Sequence, residues 1–264
     1  MKKINICFWI LFVAIGFSQE KKIAPTLLSS QQLAAEEFVN MDSFGYYYYI
    51  KGNVFCKQKE NELFQYKNLS LGKIKRVDLQ NPLKIVLFYE GFNSVITLDN
   101  QLNETLSFNF SNIQNNPIVA SAVGLASQNR LWIFNSLQMQ LGLYDFNKQV
   151  FQPLSQPFQN PIQFYQTDYN HFYWIDSDGI VSFCDVFGKI STLGKIPQFD
   201  SAQIISNEIM VYQSGNQLFY HYFKENKSSI INLDEKIVEK FRIKDQFLII
   251  FTNSEIRTYQ INLP

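Results

Sequence analysis

Short aromatic or β-branched runs alternate with polar turns along the whole chain, in one recurring order. Residues 47–50 (Tyr-Tyr-Tyr-Ile) lead through Lys51-Gly52-Asn53 to 54–56. Residues 85–88 lead through Glu90-Gly91-Phe92-Asn93 to 95–99, and 131–134 lead through Asn135-Ser136 to 141–145. The same order holds from 172–175 through Asp176-Ser177-Asp178-Gly179 to 180–185. It holds again from 209–212 through Ser214-Gly215-Asn216 to 218–222, and from 247–250 through Thr252-Asn253-Ser254 to 256–259. Such runs fit pleated strands, where branched and aromatic side chains pack well. Asn and Gly in the turns tolerate the positive φ of tight hairpins.

With Tyr48, Val86, Trp132, Tyr173, Met210 and Leu248 as equivalents, the spacings are 38, 46, 41, 37 and 38 residues. That is the length of a four-stranded propeller blade. An extended segment precedes each aromatic strand, as at 75–79 and 203–205. A turn and a shorter strand follow each third strand, as at 105–108 and 190–193. The sixth unit reaches the end of the sequence with three strands, while residues 26–35 precede the first unit and have no blade of their own. The pattern therefore predicts an all-β, six-bladed β-propeller of four-stranded antiparallel blades, its last blade completed by the N-terminal segment 26–35. Closure of that kind removes an unpaired sheet edge. An open sandwich or a seven-unit ring are the alternatives. Residues 31–38 have the one helix-friendly composition, but the stretch is too short to hold a helix by itself, and an extended reading serves equally.

Composition sharpens this picture. Hydrophobic residues make up 46% and aromatics 16%, with 25 Phe and 14 Tyr, enough for an extensive core. Basic and acidic residues balance at 23 each, so no domain-wide positive field exists and nucleic acid is not an expected partner. Lys2 and Lys3 followed by an apolar run over 6–17, with Gly16 and Ser18 as small residues before Gln19, read as an export signal. The run is too short for a membrane span. The expected organisation is a signal peptide at 1–18, a short linker at 19–25 and one propeller domain over 26–264, with no transmembrane span in the mature chain. Cys56 and Cys184 fall in the first and fourth units, across the ring from each other, beyond the roughly 7 Å that a disulfide tolerates. They are expected to be free, buried thiols.

The repeat resembles that of exported bacterial six-bladed propellers, a loosely NHL- or quinoprotein-like group. The resemblance covers about residues 26–264 and implies fold and export. It carries no functional residue across, because a fold of this kind hosts binding platforms, envelope subunits and enzymes alike.

Candidate sites follow from the scaffold. Propellers commonly bind on the face that carries the turns between second and third strands and the inter-blade loops. Asn93, Asn135, Asp176, Asp178, Gln213 and Asn253 are the candidate binding-face residues, suited to hydrogen bonding rather than proton transfer. The loops at Asn116-Pro117 and Asn160-Pro161 are stiffened by their prolines. Asp176-Ser177-Asp178-Gly179 opens like a calcium loop, but its twelfth position is Phe187 instead of a bidentate acid, so a hairpin turn is the reading. His171 and His221 lack ligand-spaced partners. In the run Tyr46 to Tyr49, alternation predicts two side chains inward and two outward as a surface platform. Lys67, Lys73, Lys75 and Arg76 read as a solvated basic face. No catalytic set, metal site or cofactor is expected. The expected function is a non-catalytic binding or scaffold propeller of the bacterial cell envelope, in the periplasm or outer envelope, with another envelope protein as partner. Alternatives are a hydrolase or lactonase with a channel-bound cation, or a glycan-binding module.

Overall fold

The computed structural model describes residues 23–113, 117–234 and 237–263. Six four-stranded antiparallel sheets make six blades. Blade 1 comprises Glu37–Met41, Tyr47–Lys51, Val54–Lys59 and Glu62–Tyr66, and blade 2 comprises Arg76–Asp78, Ile85–Tyr89, Ser94–Leu98 and Glu104–Asn109. Blade 3 comprises Ala120–Ala126, Arg130–Asn135, Gln140–Asp145 and Val150–Pro153. Blade 4 comprises Ile162–Thr167, His171–Asp176, Ile180–Asp185 and Ile190–Lys195. Ser201–Ile204, Ile209–Ser214, Gln217–Tyr222 and Lys227–Ile231 form blade 5. Blade 6 takes Lys240–Lys244, Phe247–Thr252 and Glu255–Gln260, and its fourth strand is Thr26–Gln32.

That last pairing closes the ring. Thr26 lies opposite Gln260 and Gln32 opposite Glu255, with one register shift between Leu27 and Ser29. Beyond it Leu33 N–H donates to the Ser254 carbonyl at 2.7 Å, and the chain turns into blade 1. The stretch 31–38 holds no helix; it ends one strand and begins the next. The predicted signal peptide lies outside the described residues. Ile23, in the stretch read as a linker, is buried against blade 5, where its carbonyl accepts from Asn232 N–H at 2.8 Å.

The apolar core is divided into six layers, one between each pair of successive blades. Tyr48, Ile50 and Phe55 of blade 1 meet Ile85, Leu87 and Ile96 of blade 2. The sixth layer joins Ile249, Phe251 and Ile256 of blade 6 to Phe38, Tyr49 and Cys56 of blade 1. Because a blade packs a neighbour on each side, its middle strands are covered on both faces and read as continuous apolar runs instead of alternating ones. This corrects the expectation for Tyr46 to Tyr49. Tyr48 and Tyr49 are both buried, Tyr46 and Tyr47 are half-buried, and no outward aromatic platform results.

Aspartates cap the turns by a single device. Asp99 Oδ1 accepts from Gln101 N–H at 2.8 Å and Asn103 N–H at 2.9 Å. Asp145 and Asp185 do the same at the ends of their third strands. These are Asx turns, which let a hairpin close without a backbone partner for every N–H. Asn53, Asn93 and Asn253 occupy the left-handed region at φ of 58°, 49° and 37°. The inner strands of blades 3 and 4 pack tightly at Gly124, where an added Cβ would overlap the Thr167 side chain. Cys56 and Cys184 are free and buried in blades 1 and 4, and burial pushes the Cys184 thiol up to about 12.

Candidate functional site: the turn face and the central channel

The first strands of the blades touch one another around the axis, so the turns between second and third strands share one face with the inter-blade loops. The six candidate residues are spread around this turn face over blades 2 to 6, and most of their polar atoms are directed inward. Asn93 Nδ2 donates to the Ile118 carbonyl at 2.6 Å, while its Oδ1 accepts from Ala120 N–H at 2.9 Å. It thereby clips the blade 2 turn to the loop entering blade 3. Asn135, fully buried at 0% exposure, accepts from Val119 and Leu137 N–H at 3.0 and 3.2 Å and donates to Pro117 O and Gln138 Oε1. Gln213 donates to Val238 O at 2.6 Å and accepts from Ser201 Oγ at 2.9 Å. Asn53, which sequence reasoning left aside, makes an equivalent clip to Gly72 O and Ile74 N–H.

The acidic pair behaves as a turn. Asp176 Oδ1 accepts from Asp178 and Ile180 N–H at 2.9 and 3.0 Å, and Asn160 Nδ2 bridges the Oδ2 atoms of both carboxylates. Asp176 also borders a groove of about 480 Å³ with Phe158 and Trp174 between blades 3 and 4. Asn253 is exposed on its turn. Among the described residues, no three His, Cys, Asp or Glu side chains are grouped to hold a metal ion. His171 pairs with Asp168 at 3.1 Å beside Tyr173 and Phe183. His221 is buried, with Nδ1 2.9 Å from Ser228 Oγ and Nε2 unpartnered, and desolvation pushes its pKa down.

Beside these clips Ile237 (45%) lies exposed on the loop entering blade 6, and four further apolar side chains lie exposed over blades 1 to 3: Leu69 (78%), Phe92 (49%), Val119 (46%) and Leu137 (60%). The last four form an arc. The Phe92 ring lies over Gly72, three residues from Leu69. Asn93 ties the next segment to residues 118 and 120, and Ser136 N–H and Oγ both donate to Val119 O at 2.8 and 2.9 Å.

The central channel contains a cavity of about 230 Å³ lined by first strands: Val39 and Asn40, Arg76 to Asp78, Gln166 and Thr167, Gln203, and Arg242. Side chains here also latch successive blades. Gln166 makes a two-bond clasp with the Ile204 backbone at 2.8 and 3.0 Å, and Gln203 one with Ile243 at 2.6 and 2.7 Å. Arg242 Nε donates to Val39 O at 3.0 Å across the seam between blades 6 and 1. Asp78 spends its carboxylate on Leu125 N–H, Gln80 N–H and Thr167 Oγ1. Burial and the neighbouring Arg76 push the Arg242 pKa down to about 10.

Arg76 thus departs from the solvated face expected of the cluster. Lys67, Lys73 and Lys75 are exposed and Lys75 pairs with Glu90 at 3.0 Å, whereas Arg76 turns into the channel and stacks 4.1 Å over the Tyr165 ring of blade 4. One signal could have located it. Arg76 and Asp78, like Lys240, Arg242 and Lys244, lie at alternate positions of a first strand, the strand that lines a propeller's axis.

This is a six-bladed β-propeller, and its structural neighbours are of the propeller type. No protein-family profile and no curated protein sequence matches the chain. Virginiamycin B lyase from Staphylococcus aureus superposes with a TM-score of 0.58 at 11% identity, covering 84% of this chain and 79% of the lyase. YCF48 bound to D1 peptide gives 0.54 at 9% identity over 82% of this chain and 76% of that one. The extracellular domain of a putative one-component system from B. thetaiotaomicron gives 0.53 at 12% identity over 90% and 40%. At such identities these likenesses speak to the fold alone.

Proposed function

We propose that this chain is an exported, non-catalytic protein-binding propeller of the cell envelope, docking its partner on the turn face over blades 1 to 3. The observation that carries the reading is that Leu69, Phe92, Val119 and Leu137 lie exposed on one face of successive blades, since apolar side chains exposed on one face among polar groups mark interaction surfaces. The clips of Asn53, Asn93 and Asn135 hold the loops beneath the arc in place, which lowers the ordering cost of association. Export rests on the Lys2-Lys3 and 6–17 pattern. Among the described residues no helix is long and apolar enough to cross a membrane, and one neighbour was solved as an extracellular domain. That another neighbour was solved with a peptide indicates what the fold can accommodate. Two guanidinium groups make the channel a poor seat for the cation that a lactonase-type reading requires.

The test is a photo-reactive residue placed at Leu137 or Phe92, and separately at Phe187 in the opposite face, in cells of the native host. One discrete cross-linked envelope protein from the first two positions, absent at Phe187 and lost in the Leu69→Glu, Val119→Glu double variant, is the expected result. Equal products from both faces, or none from the turn face, would overturn the reading.

A further inference from the structure

The channel has a property that docking on the turn face does not use. The Arg76 side chain donates no hydrogen bond to any described residue, its Nε is buried without a partner, and its guanidinium lies 4.1 Å from the centre of the Tyr165 ring. Arg242 spends Nε and Nη1 on the carbonyls of Val39 and Phe241 at 3.0 Å each, and among the described residues no carboxylate lies in ion-pair range of either guanidinium. Asp78, the nearest acid along the same strand, has both oxygens engaged by Leu125, Gln80 and Thr167. Glu37 pairs with Lys240 at 3.4 Å and also favours the charge on Arg242 from beyond ion-pair range, and Lys244 borders an adjoining cavity that shares Asn40, Leu79 and Gln80 with the first. Two arginines therefore face one cavity of about 230 Å³, repel each other, and keep donors unspent. Such an arrangement is unfavourable for an isolated protein, because unpaired charge and an orphaned buried donor both cost free energy.

We propose that the central channel is a binding site for a small soluble oxyanion, carboxylate or phosphate, held between Arg76 and Arg242. A guanidinium presents a planar fork that matches two oxygens of either group, and charge-assisted bonds of this kind are the strong ones. The anion neutralises the pair and takes up the unspent donors, while Tyr165 holds the Arg76 plane by stacking. The cavity's size fits a molecule of a few heavy atoms rather than a folded partner's side. Because Val39 lies on blade 1 and Arg242 on blade 6, the ligand would also brace the seam that closes the ring.

Isothermal titration of the purified protein with inorganic phosphate and, separately, with citrate at low ionic strength tests this. The expected result is one-to-one binding of at least one of the two with a Kd below about 1 mM. The tighter of the two names the ligand's class. Arg76→Gln and Arg242→Gln should each weaken binding at least about tenfold, and the exposed Lys148→Gln should leave it unchanged. The Arg76 side chain makes no hydrogen bond to a described residue, so its variant keeps the test valid should Arg242→Gln fail to fold. No saturable binding of either anion, or binding that persists in Arg76→Gln, would overturn the proposal.

Discussion

The turn face and the central channel are both polar and both clip successive blades, yet the channel also holds a group in the opposite state. On the turn face Asn53, Asn93, Asn135 and Gln213 spend donors and acceptors on the neighbouring inter-blade loop. In the channel Arg76 spends none on a described residue. The amides are clips that fix one blade against the next, and apolar side chains lie exposed beside them. The guanidinium is an open valence. Residue type alone does not separate the two cases; what separates them is whether a partner of matching polarity lies within reach.

The largest expected effect lies on the clip side. Asn135→Ala leaves the backbone groups of Val119, Leu137 and Pro117 without their buried partner, and should lower stability by about 2–3 kcal/mol in a denaturant titration. Asn253→Gly, which keeps the left-handed backbone of an exposed turn, should change it by less than about 0.5 kcal/mol. Equal losses at the two sites would erase the distinction between clip and surface. On the channel side the sign reverses. Arg76→Met removes a charge that the fold leaves unpaired, and should leave stability unchanged or raise it by about 1 kcal/mol at low ionic strength, less as salt screens the pair. A clear loss of stability would mean that Arg76 is structural.

A smaller effect concerns His221, an unsatisfied buried group outside both regions. Desolvation holds its folded-state pKa below the unfolded value, so near pH 6 and below the unfolded chain takes up a proton that the folded chain refuses. Its contribution is therefore full above the unfolded pKa and is lost as pH falls. Melting temperature should decline below about pH 6.5, and His221→Gln should flatten that decline. An unchanged slope in the variant would assign the acid sensitivity elsewhere.

The fold could be read from the sequence because each blade repeats one strand–turn–strand rhythm, and blades 2 to 4 end the third strand on an aspartate whose carboxylate closes the next turn, at Asp99, Asp145 and Asp185. The missing fourth strand of the last unit was equally legible, and Thr26–Gln32 supplies it. Less of the site was legible. Asn93 and Asn135 could be placed on the right face, but their partners across the blade seam lie 16 to 27 residues away in loops with no pattern of their own. Arg76 and Asp78 alternate on a first strand, but that strand is three residues long and sits at the end of a basic cluster whose other members are exposed, so the signal is easily passed over. Arg76 turns inward because the ring places every first strand on the axis, a property of closure rather than of local sequence. The tyrosines at 46–49 mislead for a related reason: a blade covered on both sides has no outward half.

The chain's four arginines allow the comparison to be tested within one spectrum. Arg130 is bonded to Ser127 O and Oγ, and Arg257 to Glu255, so both have protein partners. Arginine side-chain 15Nε–1H resonances, followed during a phosphate or citrate titration, should move in a saturable way for Arg76 and Arg242 and stay fixed for Arg130 and Arg257. Movement of all four together, or stillness of the channel pair, would contradict the account.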